Sequence, residues 1–231
     1  MKHTLYCVFL IFTFFTAKAV SAQNDSVQMV VYTSDYQFID GVYLSFSNLK
    51  QNSPISKARI ISSEDFNSPS FFETILAEKT LQYYDSFGMM KEVNVKQIWG
   101  YCDKGKIFVN WNDAFNRIPY LGNASHFVAN KTVYQNNYNS PYYGGNVYNP
   151  YSTDGMYNTT PSTVEMVQYI LDMETGQIYD FSVSSVEILL MRTPELYEEF
   201  NSLRNRKKKQ LMFLYLRKYN EKYPLYLPVD N

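Results

Sequence analysis

The sequence predicts an α+β fold in which a mostly antiparallel β-sheet of serial hairpins packs against C-terminal helical segments. Two patterns carry this expectation. As far as Val183, apolar side chains recur at period two between short turns containing Gly, Asn or Asp. After Val183 the spacing lengthens to i, i+4, i+7, the helical repeat. Hairpins in series place neighbouring strands antiparallel, and a helical tail after a run of strands is the α+β order.

Asp40-Gly41 reads as a turn entering a strand, with Val42, Leu44 and Phe46 on one face. Ser47 to Asn52 reads as one helical turn stopped by Pro54. Lys57 to Ser62 reads as a second short strand, and Ser70 to Glu78 suits strand or short helix equally. The clearest hairpin runs from Glu92 to Trp111. Val93, Val95 and Gln97 alternate with Asn94, Lys96 and Ile98, Asp103-Lys104-Gly105 makes the turn, and Ile107-Phe108-Val109 returns. Ala124 to Gln135 is another strand. Val164 to Asp172 and Gln177 to Val183 form a second hairpin across Met173-Glu174-Thr175-Gly176.

Thr193-Pro194-Glu195 opens a helix, with Thr as N-cap and Pro at the first helical position. Leu196, Phe200 and Leu203 share a face. Glu195, Glu198 and Glu199 lie near the positive end of the helix dipole, and the basic residues follow where cations are favoured. Met212, Tyr215, Leu216 and Tyr219 form a second apolar set, well around the helix from the first. A bend or break near residues 204 to 210 would turn both sets toward one core. The helix ends before Pro224, and Pro224 and Pro228 make an extended tail.

The chain begins as a cleaved secretory leader begins. Lys2 and His3 precede an apolar run from Thr4 to Thr16, and Val20-Ser21-Ala22 offers a small-residue cleavage site before Gln23. The run is too short for a membrane span, which argues against an N-terminal anchor. Residues 1–22 are therefore read as a signal peptide, and residues 23–231 as one α+β domain with a Tyr/Asn-rich insertion at about 134–160. No later apolar run is long enough to span a bilayer. Loss of Lys2 and Lys18 leaves 19 basic and 22 acidic residues, a balance with no global pull toward nucleic acid or anionic membrane. The expected location is the periplasm or the cell surface, with a protein or glycan of the envelope as partner.

Few catalytic chemistries fit. Past residue 22 the chain holds one cysteine, Cys102, and one histidine, His126. A single cysteine cannot form an intrachain disulfide, and a structural zinc site normally needs four Cys or His ligands. Cys102 reads as a small hydrophobe at the end of a strand, and His126 as a strand histidine bonded to backbone or water. There is no P-loop, dinucleotide turn, nucleophile elbow or calcium loop, and Asn110-Trp111-Asn112-Asp113 reads as a turn. The sequence therefore indicates no catalytic residue, metal ligand or cofactor. A pair of carboxylates, as in glycoside hydrolysis, is set by the fold and cannot be chosen from sequence.

Two stretches stand apart. Arg204 to Lys209 holds five cations in six residues and reads as a solvated helical surface or bend, with an anionic headgroup or glycan contact as the sharper reading. Residues 134–158 hold seven tyrosines and six asparagines, with Asp154 as the one charge. This composition marks a polar insertion that cannot build a core, or a loop in which Tyr142, Tyr143, Tyr148 and Tyr151 contact a glycan or protein.

Asp40-Gly41-Val42-Tyr43-Leu44-Ser45-Phe46, Trp99-Gly100-Tyr101-Cys102-Asp103-Lys104-Gly105-Lys106-Ile107, Ser125-His126-Phe127 and Tyr219-Asn220-Glu221-Lys222-Tyr223-Pro224-Leu225 carry a resemblance. Together they resemble a family of uncharacterised secreted proteins of Bacteroidota-type Gram-negative bacteria. The resemblance implies an envelope protein and transfers no catalytic residue. It covers most of the chain after the leader, except the Tyr/Asn stretch.

Overall fold

The computed structural model describes residues 28–134 and 162–229. The expected signal peptide lies outside the described residues, as does the Tyr/Asn stretch beyond Tyr134. In chain order the first half holds β1 (Met29–Val31), β2 (Gly41–Tyr43), α1 (Phe46–Lys50), β3 (Ile60–Ile61), α2 (Phe71–Leu76), β4 (Thr80–Tyr84), β5 (Met90–Asn94), β6 (Gly100–Asp103), β7 (Lys106–Trp111) and β8 (Ala114–Arg117). The second half holds β9 (Ala124–Tyr134), β10 (Ser162–Asp172), β11 (Ile178–Asp180), α3 (Val183–Leu190), α4 (Pro194–Asn201), α5 (Asn205–Lys222) and β12 (Tyr226–Pro228). The strands form antiparallel sheets β2-β6-β7-β8, β3-β4-β5, β11-β10-β9 and β1-β12. The architecture is α+β, as the periodicity predicts.

Turn chemistry sets the registers. Lys104 and Gly105 both adopt positive φ, 51° and 71°, the two-residue turn whose twist matches paired strands. Asn112 and Asp113 do the same between β7 and β8, at 55° and 58°. The predicted hairpin from Glu92 to Trp111 is correct in its turn and return strand but not in its first strand. Val95–Gln97 forms a 3₁₀ turn there. The Asn94 side chain accepts from the Lys96 amide, and Asn110 Nδ2 donates to the carbonyls of Val95 and Ile98. These side-chain bonds replace ladder bonds. Residues before the turn therefore pair with β4 in a hairpin the sequence reading missed, and only Gly100–Asp103 pairs with β7.

Two further strand expectations are shortened by caps. Ser45 and Asn48 exchange side-chain and backbone hydrogen bonds in a capping box, so Phe46 starts α1 instead of extending β2. Ser182 accepts from the Ser185 amide, so α3 starts at Val183 and β11 stops at Asp180. Lys57–Arg59 is a 3₁₀ turn before the two-residue β3, and the undecided stretch from Ser70 is the helix α2.

Period two places neighbouring residues on opposite sides of each sheet. Val42 and Tyr101 join Phe71, Phe72, Ile75 and Leu81 beneath α2 and β4. Their neighbours Tyr43 and Cys102 join Ile107, Phe127, Tyr169 and Leu171 on the other side. Ile170 turns away from that second cluster and meets Val186, Leu189, Leu196, Phe200, Tyr215, Leu216 and Tyr219 from the three helices. β2, β6 and the root of β9–β10 are thus buried on both faces and stack as layers. The helical break falls at Ser202 to Arg204, and it does bring both predicted apolar sets into one cluster. The extended tail is not free: β12 pairs with β1, and the Tyr32 amide donates to Leu225 O at 2.7 Å.

Two cap and dipole expectations need correction. Thr193 precedes α4, but its hydroxyl makes no capping bond and lies buried without a partner. The basic run does not fall at a helix C-terminus. The break places it in the opening turns of α5, at the positive end of a new dipole. Nor is it wholly solvated. Lys208 is buried, its ammonium 2.7 Å from both Glu187 Oε1 and Asn201 Oδ1 and 5.5 Å from the Phe200 ring centroid.

The carboxylate of Asp172 is fully buried at the end of β10. Arg192 NH1 and NH2 reach its two oxygens at 3.0 and 2.7 Å, the Thr175 hydroxyl donates at 2.7 Å and the Glu174 amide at 3.1 Å. Arg192 also donates to the Tyr219 hydroxyl at 3.2 Å. Burial pushes the Asp172 carboxyl upward, but the Arg192, Thr175 and Glu174 hydrogen bonds outweigh it and hold the group below the usual carboxylate range. Nearby, Asn220 uses both ends of its amide on one residue: it accepts from Ala124 N at 2.7 Å and donates to Ala124 O at 2.9 Å. Gly122 makes room for it, since a Cβ there would sit 2.4 Å from Asn220 Nδ2.

Asp172→Asn should lower unfolding free energy by about 3 kcal/mol, the low end for a broken buried pair because Arg192 retains part of its hydration. A carboxyl depressed in the folded state contributes stability above its unfolded pKa of about 3.9, and loses it as pH falls through the lower folded value. Urea titrations from pH 7 to pH 2 should show the variant with a flatter acid limb. Asn220→Ala leaves both Ala124 backbone groups without that partner and should cost about 1–3 kcal/mol in the same assay.

Candidate functional site

β9 and β10 pair residue for residue from Ala124↔Asp172 to Tyr134↔Ser162. Only the root of this ribbon lies within the layers. There Phe127, Ala129, Val167 and Tyr169 pack into the cluster beneath β7, and Ile170 packs against the helices. Asn112 Nδ2 ties the root down, donating to Asn130 O at 3.0 Å and to the Tyr169 hydroxyl at 3.1 Å. Beyond Asn130 and Met166 the layers end, and Ser162 to Met166 stand exposed on both faces.

The two faces of this bare end differ. Glu165 lies opposite Lys131, an opposite-charge cross-strand pair. The other face carries Val164 opposite Thr132 and Met166 opposite Asn130, with no charge. Val164 is 66% and Met166 78% exposed. β11 pairs only with Tyr169–Leu171, so the outer edge of β10 from Ser162 to Val167 has no strand partner among the described residues. Tyr142, Tyr143, Tyr148 and Tyr151 lie outside the described residues, between the two strand ends of this ribbon. The sequence reading recognised β10 but missed Val164 and Met166 as surface, because alternation alone does not say which face a second layer covers.

The two groups that could carry nucleophilic chemistry are in the packed interior. The Cys102 sulfur lies 3.4 Å from Asp40 Oδ1 and 3.8 Å from Phe38 O, and burial together with the Asp40 carboxylate pushes the thiol well above its usual range. His126 Nε2 lies 3.0 Å from Gln168 Oε1, with the Phe181 and Phe213 rings edge-on at 5.2 and 4.7 Å. Its partner is a side chain, not the backbone or water expected. Burial lowers its proton affinity, and Gln168 only partly offsets this. Of the predicted turn Asn110-Trp111-Asn112-Asp113, only Asn112 and Asp113 turn, because Asn110 and Trp111 pair with β8 as the end of β7.

Carboxylates line several clefts. One of about 510 Å³ is lined by Glu78, Lys79, Lys96 and Asp113, and Lys96 binds Asp113 at 2.9 Å across exposed surface. Another, of about 690 Å³, opens between α3 and α5, with Ser184, Glu187, Asn205 and Lys209 in its lining. Its Glu187 is engaged by Lys208. Among the described residues, no group of three His, Cys, Asp or Glu side chains is placed to hold a metal, and no helix is long and apolar enough to cross a membrane.

The words that carry the resemblance are mostly structural. Asn220 clamps Ala124, Tyr219 meets Arg192, Gly105 makes a turn and the Ser125 hydroxyl donates to Gly122 O at 2.8 Å. Iodoacetamide at pH 8 should label Cys102 in the folded chain at least a hundredfold more slowly than in the chain unfolded in urea, read by intact mass. No curated protein and no solved structure matches the chain. A family of unknown function, DUF6563, matches residues 41–223, from the first residue of β2 to just beyond α5, and the chain belongs to that family.

Proposed function

We propose that the protein is an exported bacterial envelope protein with a non-catalytic interaction role, and that it binds a protein partner through the bare end of the β9–β10 ribbon. The observation that carries this reading is the exposure of Val164 and Met166 on an uncharged strand face. Apolar side chains held in fixed alternation beside an unpaired edge suit strand addition, with backbone bonds for affinity and Val164 and Met166 for specificity. Tyr142, Tyr143, Tyr148 and Tyr151 are further proposed contacts on the composition of the stretch that holds them. Export rests on the sequence of residues 1–22, with cleavage before Gln23. The remaining chain is proposed to fold as one domain, a reading supported by the β1–β12 pairing of its ends.

The test is a photo-crosslinking residue at position 166 in the producing cell, with the same residue at exposed position 106 as control. The expected result is an adduct of discrete mass in the envelope fraction at 166 only, made about tenfold weaker by Val164→Ser. Equal labelling at both positions would overturn the ribbon as the contact surface. Retention of residues 1–22 together with a cytosolic location would overturn export.

A further inference from the structure

The helical layer pairs its charges unevenly. Glu187 binds Lys208, Glu199 binds Lys218 and Glu195 binds Lys222. These pairs engage three of the four acids of α3 and α4, leaving Glu198. Arg204, Arg206, Lys207, Lys209 and Arg217 have no ion-pair partner among the described residues, and all five are exposed.

Their position is unfavourable within the protein. α5 has no acid in its first turn and no side-chain cap at Arg204, so the cations meet the free amides and positive dipole end unscreened. Arg206 and Lys209, three apart, also repel each other. At 100° per residue, Arg206, Lys207, Gln210, Phe213, Leu214 and Arg217 fall on one arc of about 120°. Tyr215, Leu216 and Tyr219 fall on the opposite, buried side. Within this arc Leu214 is 41% exposed, and Phe213, 47% exposed, keeps its ring against His126 and Phe181 at 4.7 and 4.5 Å. One acid, Glu221, lies on the same arc, at its C-terminal end.

We infer that this face of α5 docks on an anionic lipid bilayer surface. The cations complement headgroup phosphates, and Leu214 with the outer edge of Phe213 enters the headgroup boundary beside them. A soluble polyanion would satisfy the charges alone and leave Leu214 and that edge in water, so the bilayer is the occupant that matches the whole arc. An anionic surface also relieves the dipole conflict that nothing among the described residues offsets. The inference does not rest on the ribbon, and either reading can fail without the other.

The test is sedimentation of the purified chain with vesicles of 70:30 phosphatidylcholine and phosphatidylglycerol, and with phosphatidylcholine alone. Comparison between variants cancels any contribution of residues 1–22. Binding to the anionic vesicles should fall about fivefold for each cation removed, so about a hundredfold for Arg206→Gln, Lys207→Gln and Arg217→Gln together. It should fall steeply as the Debye length shortens from about 8 Å to about 3 Å between 0.15 and 1 M salt. The control, Lys79→Gln, Lys91→Gln and Lys106→Gln together, removes the same charge elsewhere and should bind as the parent does. Thermal melts should show the α5 variant no less stable than the parent, because it loses only unpaired cations. Equal loss in the control, or no binding to anionic vesicles, overturns the inference. Binding that is indifferent to Leu214→Ser, and abolished by inositol hexakisphosphate, would assign a soluble anion and overturn the bilayer.

Discussion

One buried carboxylate holds the two halves of the second layer together. Asp172 ends β10, and its partners come from the turn that follows it, from Arg192 between α3 and α4, and through Arg192 from Tyr219 on α5. A charge taken fully out of water is costly unless its hydrogen-bonding capacity is met, and here both oxygens are met twice. The geometry that meets them also fixes where the helices sit. α3 must end near the sheet so that Arg192 can reach, and α5 must run past that point so that Tyr219 can close the network. The Asn220 amide, one residue further, locks α5 to the first residue of β9.

That anchoring is confined to one end of the ribbon. At Ala124 and Asp172 the strands are bonded on every side, and at Asn130 and Met166 the covering layers run out. The same alternation that fills two clusters at the root leaves side chains bare at the end. The contrast separates what stabilises the protein from what it offers to a partner. Stability resides in a rigid root with satisfied polar groups, and the proposed contact surface lies beyond it, where substitutions carry little folding cost. A fixed strand presents Val164 and Met166 with less ordering entropy than a free segment would.

The helical layer divides its charges along the same line. Lys208, Lys218 and Lys222 tie α5 to α3 and α4, and Lys208 does so from a buried position against Phe200. The neighbouring cations make no ion pair among the described residues. Local conflicts of this kind, here like charges set on a positive helix end, are expected where a surface is kept for a ligand and not for the fold.

The α+β class, the antiparallel pairing, the hairpin turns at Lys104-Gly105 and at Glu174-Thr175, the proline-marked start of α4 and the two apolar sets of the C-terminal helices were legible in the residues, because period and turn chemistry are local properties. The resemblance words were legible as well, though not their roles: nothing near Asn220 in the chain says that its amide grips Ala124. What sequence could not supply depended on distant partners. The Asn94 and Asn110 side chains broke a strand that alternation had made continuous. The break at Ser202 moved the basic run from the expected tail of one helix to the head of another, and so reversed its relation to the dipole. Whether Val164 faces a core or water is decided by where the neighbouring layers end. Periodicity determines which residues share a face, and only the tertiary packing determines which faces are covered, because covering is a property of two surfaces and the local pattern describes one.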